Sequence, residues 1–184
     1  MEATNILMEE HRVIERVLAA LEAAAGRLGQ NQSLRPGFFT DAADFIKGFA
    51  DGCHHMKEEG VLFKAMVASG MPAQGGPIAV MLAEHEQGRA FTRAMRQAAQ
   101  RLQEGDTLAW PAVVSSAQGY VALLRQHIAK EDGILFPMAD RVIPVTEHER
   151  VAQDFERVEH EETGQGVHEK YLALADALEK EVGQ

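Results

Sequence analysis

Apolar residues recur every three to four positions along almost the whole chain, and alternating β-branched runs are missing. That period belongs to helices buried along one stripe. Leu7, His11, Ile14, Leu18, Leu21 and Leu28 form the first stripe and predict a helix from about Thr4 to Leu28. After the polar stretch Gly29 to Pro36, a second helix runs to about Ser69, with Phe39, Ala43, Ile46, Ala50, His54, Glu58 and Val61 on one face. Glycine and proline break the chain from Gly70 to Pro77. The third helix spans about Pro77 to Glu104 through Ile78, Leu82, His85, Met95 and Leu102. A fourth starts at Trp110-Pro111 and turns Val113, Ala117, Tyr120, Leu124, His127, Glu131 and Ile134 inward, with Pro137 expected to end or kink it.

Four long helices with short connections predict an all-α fold, an antiparallel up-down four-helix bundle over residues 1–143. Residues 144–184 read as a C-terminal helical extension packed on that bundle. A polar helical stretch follows Pro144, is interrupted at Gly164 and Gly166, and gives way to a last helix from about Val167 to Val182.

The stripes are apolar except where they carry histidine and glutamate. His54-His55-Met56-Lys57-Glu58-Glu59-Gly60-Val61-Leu62-Phe63 reads almost like His127-Ile128-Ala129-Lys130-Glu131-Asp132-Gly133-Ile134-Leu135-Phe136. In each copy a histidine and the glutamate four positions on share a helix face. The first and third helices add His11 and His85 on their own stripes. Burying such groups without partners is costly, and a pair of metal ions bound by neutral imidazoles and ionised carboxylates removes the cost. The register His55 with Glu59 has the same spacing, but the second copy favours His54 with Glu58, and a helical step of about 100° turns His55 away.

The net charge is -10 with no basic cluster, which argues against nucleic acid and anionic membrane surfaces as partners. No apolar run approaches the roughly 20 residues that span a bilayer, and Met1 to Asn5 lacks the start of a secretory signal. The single cysteine, Cys53, excludes an internal disulfide and reads as a small core residue. A cytoplasmic protein is the expectation.

His11 in Glu10-His11-Arg12, His54 with Glu58, His85 in Glu84-His85-Glu86, and His127 with Glu131 before Ile134-Leu135-Phe136-Pro137 resemble the hemerythrin-like (HHE cation-binding) family over about residues 4 to 140. The resemblance implies a four-helix bundle around two non-haem iron ions bridged by two carboxylates and an oxygen. It implies His11, His54, His85 and His127 as nitrogen ligands and Glu58 and Glu131 as bridges; ligands of these types also accept zinc or manganese as substitute metals. Oxygen-carrying hemerythrins have a further histidine where Arg89 stands, and an aspartate where Asp132 stands; the repeat favours Glu131, leaving Asp132 as the alternative bridge. With four histidines the centre is expected to be less saturated, closer to iron–sulfur repair and sensor-type members.

His168 shares a stripe with Tyr171, Ala175, Leu178 and Val182. It is either a packed, hydrogen-bonded histidine or an additional metal ligand laid over the site by the last helix. Tyr120 lies two turns before His127 on its face, and His148 and His160, among acids, read as solvated.

These readings predict a di-iron protein that binds or reacts with dioxygen, nitric oxide or peroxide, for sensing, stress defence or iron handling. A di-iron oxidoreductase of ferroxidase type is the alternative, although no histidine has a glutamate three residues before it. A zinc hydrolase lacks its His-Glu-x-x-His, and a purely structural helical module leaves the inward histidines unexplained.

Overall fold

The structure, a computed structural model, describes residues 1–163 and 166–183. It is all-α: among the described residues there are six helices and no strand. They are α1 (Glu2–Gly29), α2 (38–68), α3 (Pro77–Gln103), α4 (110–142), α5 (145–163) and α6 (Val167–Glu181). Pro77 opens α3 in the first turn, where its missing N–H costs nothing. Gly164, the expected break before α6, lies outside the described residues; Gly166, at φ 79°, supplies the left-handed conformation from which α6 starts.

Two apolar clusters fix the chain directions. One holds Ile14 to Ala25, Phe38 to Ala50, Met95 to Ala99 and Val113 to Ile128. The other holds Ala3, Leu7, Leu62 to Met66, Ile78, Met81 and Leu135 to Ala139. Hence α1 and α3 run from the second cluster to the first, and α2 and α4 run back, which is the up-down bundle the stripes predict. On every one of the four helices the buried histidines fall at the junction of the two clusters. The polar groups therefore form one layer between two dry ones.

α2 and α4 are not uniform α-helices. Both pass through wide, π-helical turns, at Ile46–His55 and Glu58–Leu62 in α2 and at Glu131–Leu135 in α4. Such a turn bonds i to i+5 and holds one residue more than an α-turn, so the buried stripe slips by one position. This corrects two expectations. Ile134 is 56% exposed and Leu135 faces the core instead, while Val61 is half-buried and Leu62 is fully buried. Pro137 neither ends nor breaks α4, because it sits just past the wide turn, in the first turn of Phe136–Val142. Lys64 occupies the matching place in α2, which opens in the same way, so the proline is accommodated by the wide turn and does not cause it.

α5 and α6 pack against α1 and α2. Val151, Phe155, Ala175 and Leu178 are buried there, and Arg16 bonds Asp176 and Glu179. A Cβ at Gly48 would lie 1.9 Å from the Tyr171 ring, so a glycine is what lets α6 lie this close to α2. His148 is half-buried and its Nε2 donates to the Ile143 carbonyl at 3.0 Å, unlike the solvated residue expected, while His160 is exposed. Among the described residues no helix is long and apolar enough to cross a membrane.

Candidate metal centre

Six residues singled out in the sequence meet in the polar layer: His11 from α1, His54 and Glu58 from α2, His85 from α3, and His127 and Glu131 from α4, none more than 2% exposed. A seventh joins them. His55 is 4% exposed, with its ring stacked 3.9 Å from that of His85. In the wide turn Ile46–His55 consecutive residues are rotated by less than the α-helical step, so two adjacent imidazoles face the same interior. The polar layer thus holds five histidines where the helix stripes had placed four. The signal was present in doubled apolar positions along α2, Phe38-Phe39, Ala42-Ala43, Phe45-Ile46 and Phe49-Ala50, all buried.

Ligand-type atoms gather in two groups, each within 4.8 Å: His55, Glu58, His85 and His127 in one, His11, His54, Glu58 and Glu131 in the other. Glu58 belongs to both. His11 Nε2 and His127 Nε2 stand 3.3 and 3.1 Å from Glu131 Oε2. His54 Nε2 is 3.5 Å from Glu58 Oε1, and His85 Nε2 is 3.4 Å from Glu58 Oε2.

Behind every ring stands an acid. Nδ1 of His11 lies 2.7 Å from Asp132, that of His54 3.0 Å from Glu10, and that of His55 3.0 Å from Asp51. His85 Nδ1 is 2.8 Å from Glu59, and His127 Nδ1 is 2.9 Å from Glu84. An ionised carboxylate only accepts, so each Nδ1 donates its proton outward and each Nε2 faces the interior, where a neutral ring offers a metal its lone pair. The acids are braced in turn: Asp132 by Arg12, Glu10 by Lys57, Glu84 by Lys130 and Glu59 by Arg89. Asp132 thus orients His11 from outside the centre, and Glu131 is the acid that faces in.

Polar satisfaction tests whether the residues fit a metal pair. Eight buried side-chain polar atoms among the described residues lack a hydrogen-bond partner, and six are His11 Nε2, His54 Nε2 and all four oxygens of Glu58 and Glu131. Orphaned buried acceptors are rare and costly, and here they point at one another. Nitrogen and carboxylate donors in that arrangement suit iron, zinc or manganese, so the residues fit. Tyr120, 1% exposed, contributes another unpartnered atom, its hydroxyl.

Titration of the protein groups tells the same story. Burial and the charge of Glu131 push Glu58 well above the usual carboxylate range. Burial acts the same way on Glu131, but His11 and His127 outweigh it and hold that acid below the range. Burial would lower His11, yet Asp132 and Glu131 raise it to about 9. Burial and the neighbouring His11 lower His54 to about 4. Two carboxylates and five imidazoles in one dry layer share protons unless cations replace them.

A family model described as the hemerythrin HHE cation-binding domain matches residues 2–139. The chain belongs to this family. An uncharacterized protein of Mycobacterium tuberculosis and one of Mycobacterium bovis are each 26% identical over 182 residues, 98% of this chain and 70% of theirs. The iron-sulfur cluster repair protein YtfE of Yersinia pseudotuberculosis is 36% identical over 91 residues, 48% of this chain and 41% of its own length. No solved structure matches significantly. Membership in the HHE family and the buried cluster together make this a metal-binding protein of the di-iron type.

Against that frame of residues His168 stands apart. Its ring stacks on Phe49 at 5.3 Å, its Nδ1 is 3.7 Å from Glu159, and it belongs to neither group of ligand atoms. Cys53 is buried, with its Sγ 4.0 Å from Glu10.

Proposed function

We propose that the chain holds two non-haem iron ions bridged by Glu58 and Glu131, and that this centre binds or reacts with dioxygen, nitric oxide or peroxide in the cytoplasm. The observation that carries the reading is the convergence of five acid-backed imidazoles on two buried carboxylates without hydrogen-bond partners. His55, His85 and His127 would hold one ion, and His11 and His54 the other. The second ion then has fewer protein donors and is where a small molecule would bind. When bound, the iron pair supplies Lewis acidity and electrons within reach of one small ligand. The protein supplies dryness: Phe136 stacks on His11 at 5.5 Å, and Leu62, Leu135 and Leu7 close one side of the layer.

Sensing, stress defence and iron handling all use such chemistry, and the likeness to the YtfE repair proteins supports the last two. A ferroxidase-type enzyme gains no support, because the acids nearest the two bridges, Glu10, Asp51, Glu59, Glu84 and Asp132, are all engaged behind imidazoles. Protein from iron-supplied cells is expected to hold about two irons per chain, with near-ultraviolet charge-transfer absorption when oxidised. Copurification of a single zinc, with added iron never binding as a pair, would overturn the reading.

A further inference from the structure

A third set of ligand-type atoms converges outside the two groups, from Glu10, Cys53 and Glu159, all within 4.8 Å of one another. The place a cation would take is filled by the chain itself. Lys57 Nζ lies 2.5 Å from Glu10 Oε1 and 2.9 Å from Glu159 Oε2. Lys57 is fully buried, whereas Lys130, its counterpart in the repeat, has a side chain 37% exposed beside Glu84. Glu10 and Glu84 do equivalent work, holding His54 and His127 by Nδ1. What differs is the cover. The segment Val158–Thr163 of α5 packs on the wide turn of α2 and lays Glu159 over Lys57, and among the described residues Lys130 keeps a side chain 37% exposed.

The two oxygens of Glu10 are divided, Oε1 to Lys57 and Oε2 to His54. Without the ammonium, Glu10 is a buried charge with no counter-charge and a carboxylate free to turn away from the imidazole. We infer that Lys57 is a positioning residue for the metal ion served by His11 and His54, acting through Glu10, and that Glu159 brings α5 into the same chain of contacts. α5 lies beyond residues 2–139, the stretch the family model matches, so this link is a property of the chain's own extension. The inference rests on the di-iron reading proposed above.

Iron release from the oxidised 184-residue chain to a strong chelator tests it, with Mössbauer spectra to follow the two irons separately. Lys57→Met is expected to speed loss of one of the two irons by about 10- to 100-fold, the usual cost of losing an outer support of a ligand. Lys57→Met combined with Glu10→Gln restores most of the retention, because the amide oxygen still accepts from His54 and needs no counter-charge. Glu159→Gln shifts release in the same direction by less, and Lys130→Met, whose half-exposed ammonium water can replace beside Glu84, also shifts it by less than Lys57→Met does. Parental release from Lys57→Met, an equal effect from Lys130→Met, or no recovery in the double variant overturns the inference. Should Lys57→Met fail to fold, Glu159→Gln decides, and parental release from it refutes the link. A parent protein without an iron pair refutes the di-iron reading instead, before any variant is made.

Discussion

The α1–α2 hairpin and the α3–α4 hairpin present nearly the same polar residues in nearly the same order. Glu10, His11, His54, Lys57, Glu58 and Glu59 in the first answer to Glu84, His85, His127, Lys130, Glu131 and Asp132 in the second. The hairpins also interlock, since Glu59 supports His85 and Asp132 supports His11. The likeness fails at one place inside the site. The first hairpin has Asp51 and His55 one turn apart, and the second has Leu124 and Ile128 there. An acid one turn back lets a buried imidazole keep its Nδ1 proton, whereas Leu124 and Ile128 extend the apolar core. A shared local code builds a near-symmetric pair of ligand groups, and one polar-for-apolar exchange makes them unequal.

The largest way to break this comparison is to remove a residue both positions share. Glu58→Ala is expected to abolish binding of both metals and to cost several kcal/mol of stability, on the order of breaking a buried ion pair, read by elemental analysis and thermal melting. Glu131→Ala should do the same, and retention of two metals by either variant would show that the carboxylates do not bridge. Next, Leu135→Ala should destabilise by about 2–5 kcal/mol while Ile134→Ala stays within about 0.5 kcal/mol, in denaturant titrations. The reverse order would deny the wide turn. His55→Ile makes the hairpins alike at the one place they differ. It should weaken the metal position of His85 and His127 by about 10-fold or more and leave the other occupied, as metal competition would show.

Protons sharpen the comparison more gently. In chelated protein His11, raised to about 9, holds a proton that the unfolded chain releases. Stability therefore falls as pH rises from the ordinary imidazole value of 6.5 through 9. The loaded protein should lack this alkaline fall, and loading at neutral pH should release about one proton, measurable with an indicator dye. Least of all, Lys130→Met should change stability by under about 1 kcal/mol, being a half-exposed pair.

The helices, their order and the inward register of His11, His54, His85 and His127 were legible because a 3.6-residue period carries all of them. The repeat also showed which glutamate follows which histidine. His55, Leu135 and the burial of Lys57 were not legible by the same rule, because a fixed angular step assigns each residue one direction. A wide turn breaks that step, and neighbouring helices cover what a lone helix would expose. His168 shares a stripe with the buried Ala175, Leu178 and Val182, yet its ring stacks on Phe49 and its Nδ1 lies near Glu159, away from the centre.

Sequence alone determined an all-helical chain with two copies of one motif, because periodicity and i to i+4 spacing are local properties written in residue order. Tertiary structure decided that the acids stand behind the rings, that a fifth imidazole turns inward, and that α5 seals Lys57. Those depend on which helix lies beside which, at distances of about 3 Å that no spacing along a single helix specifies.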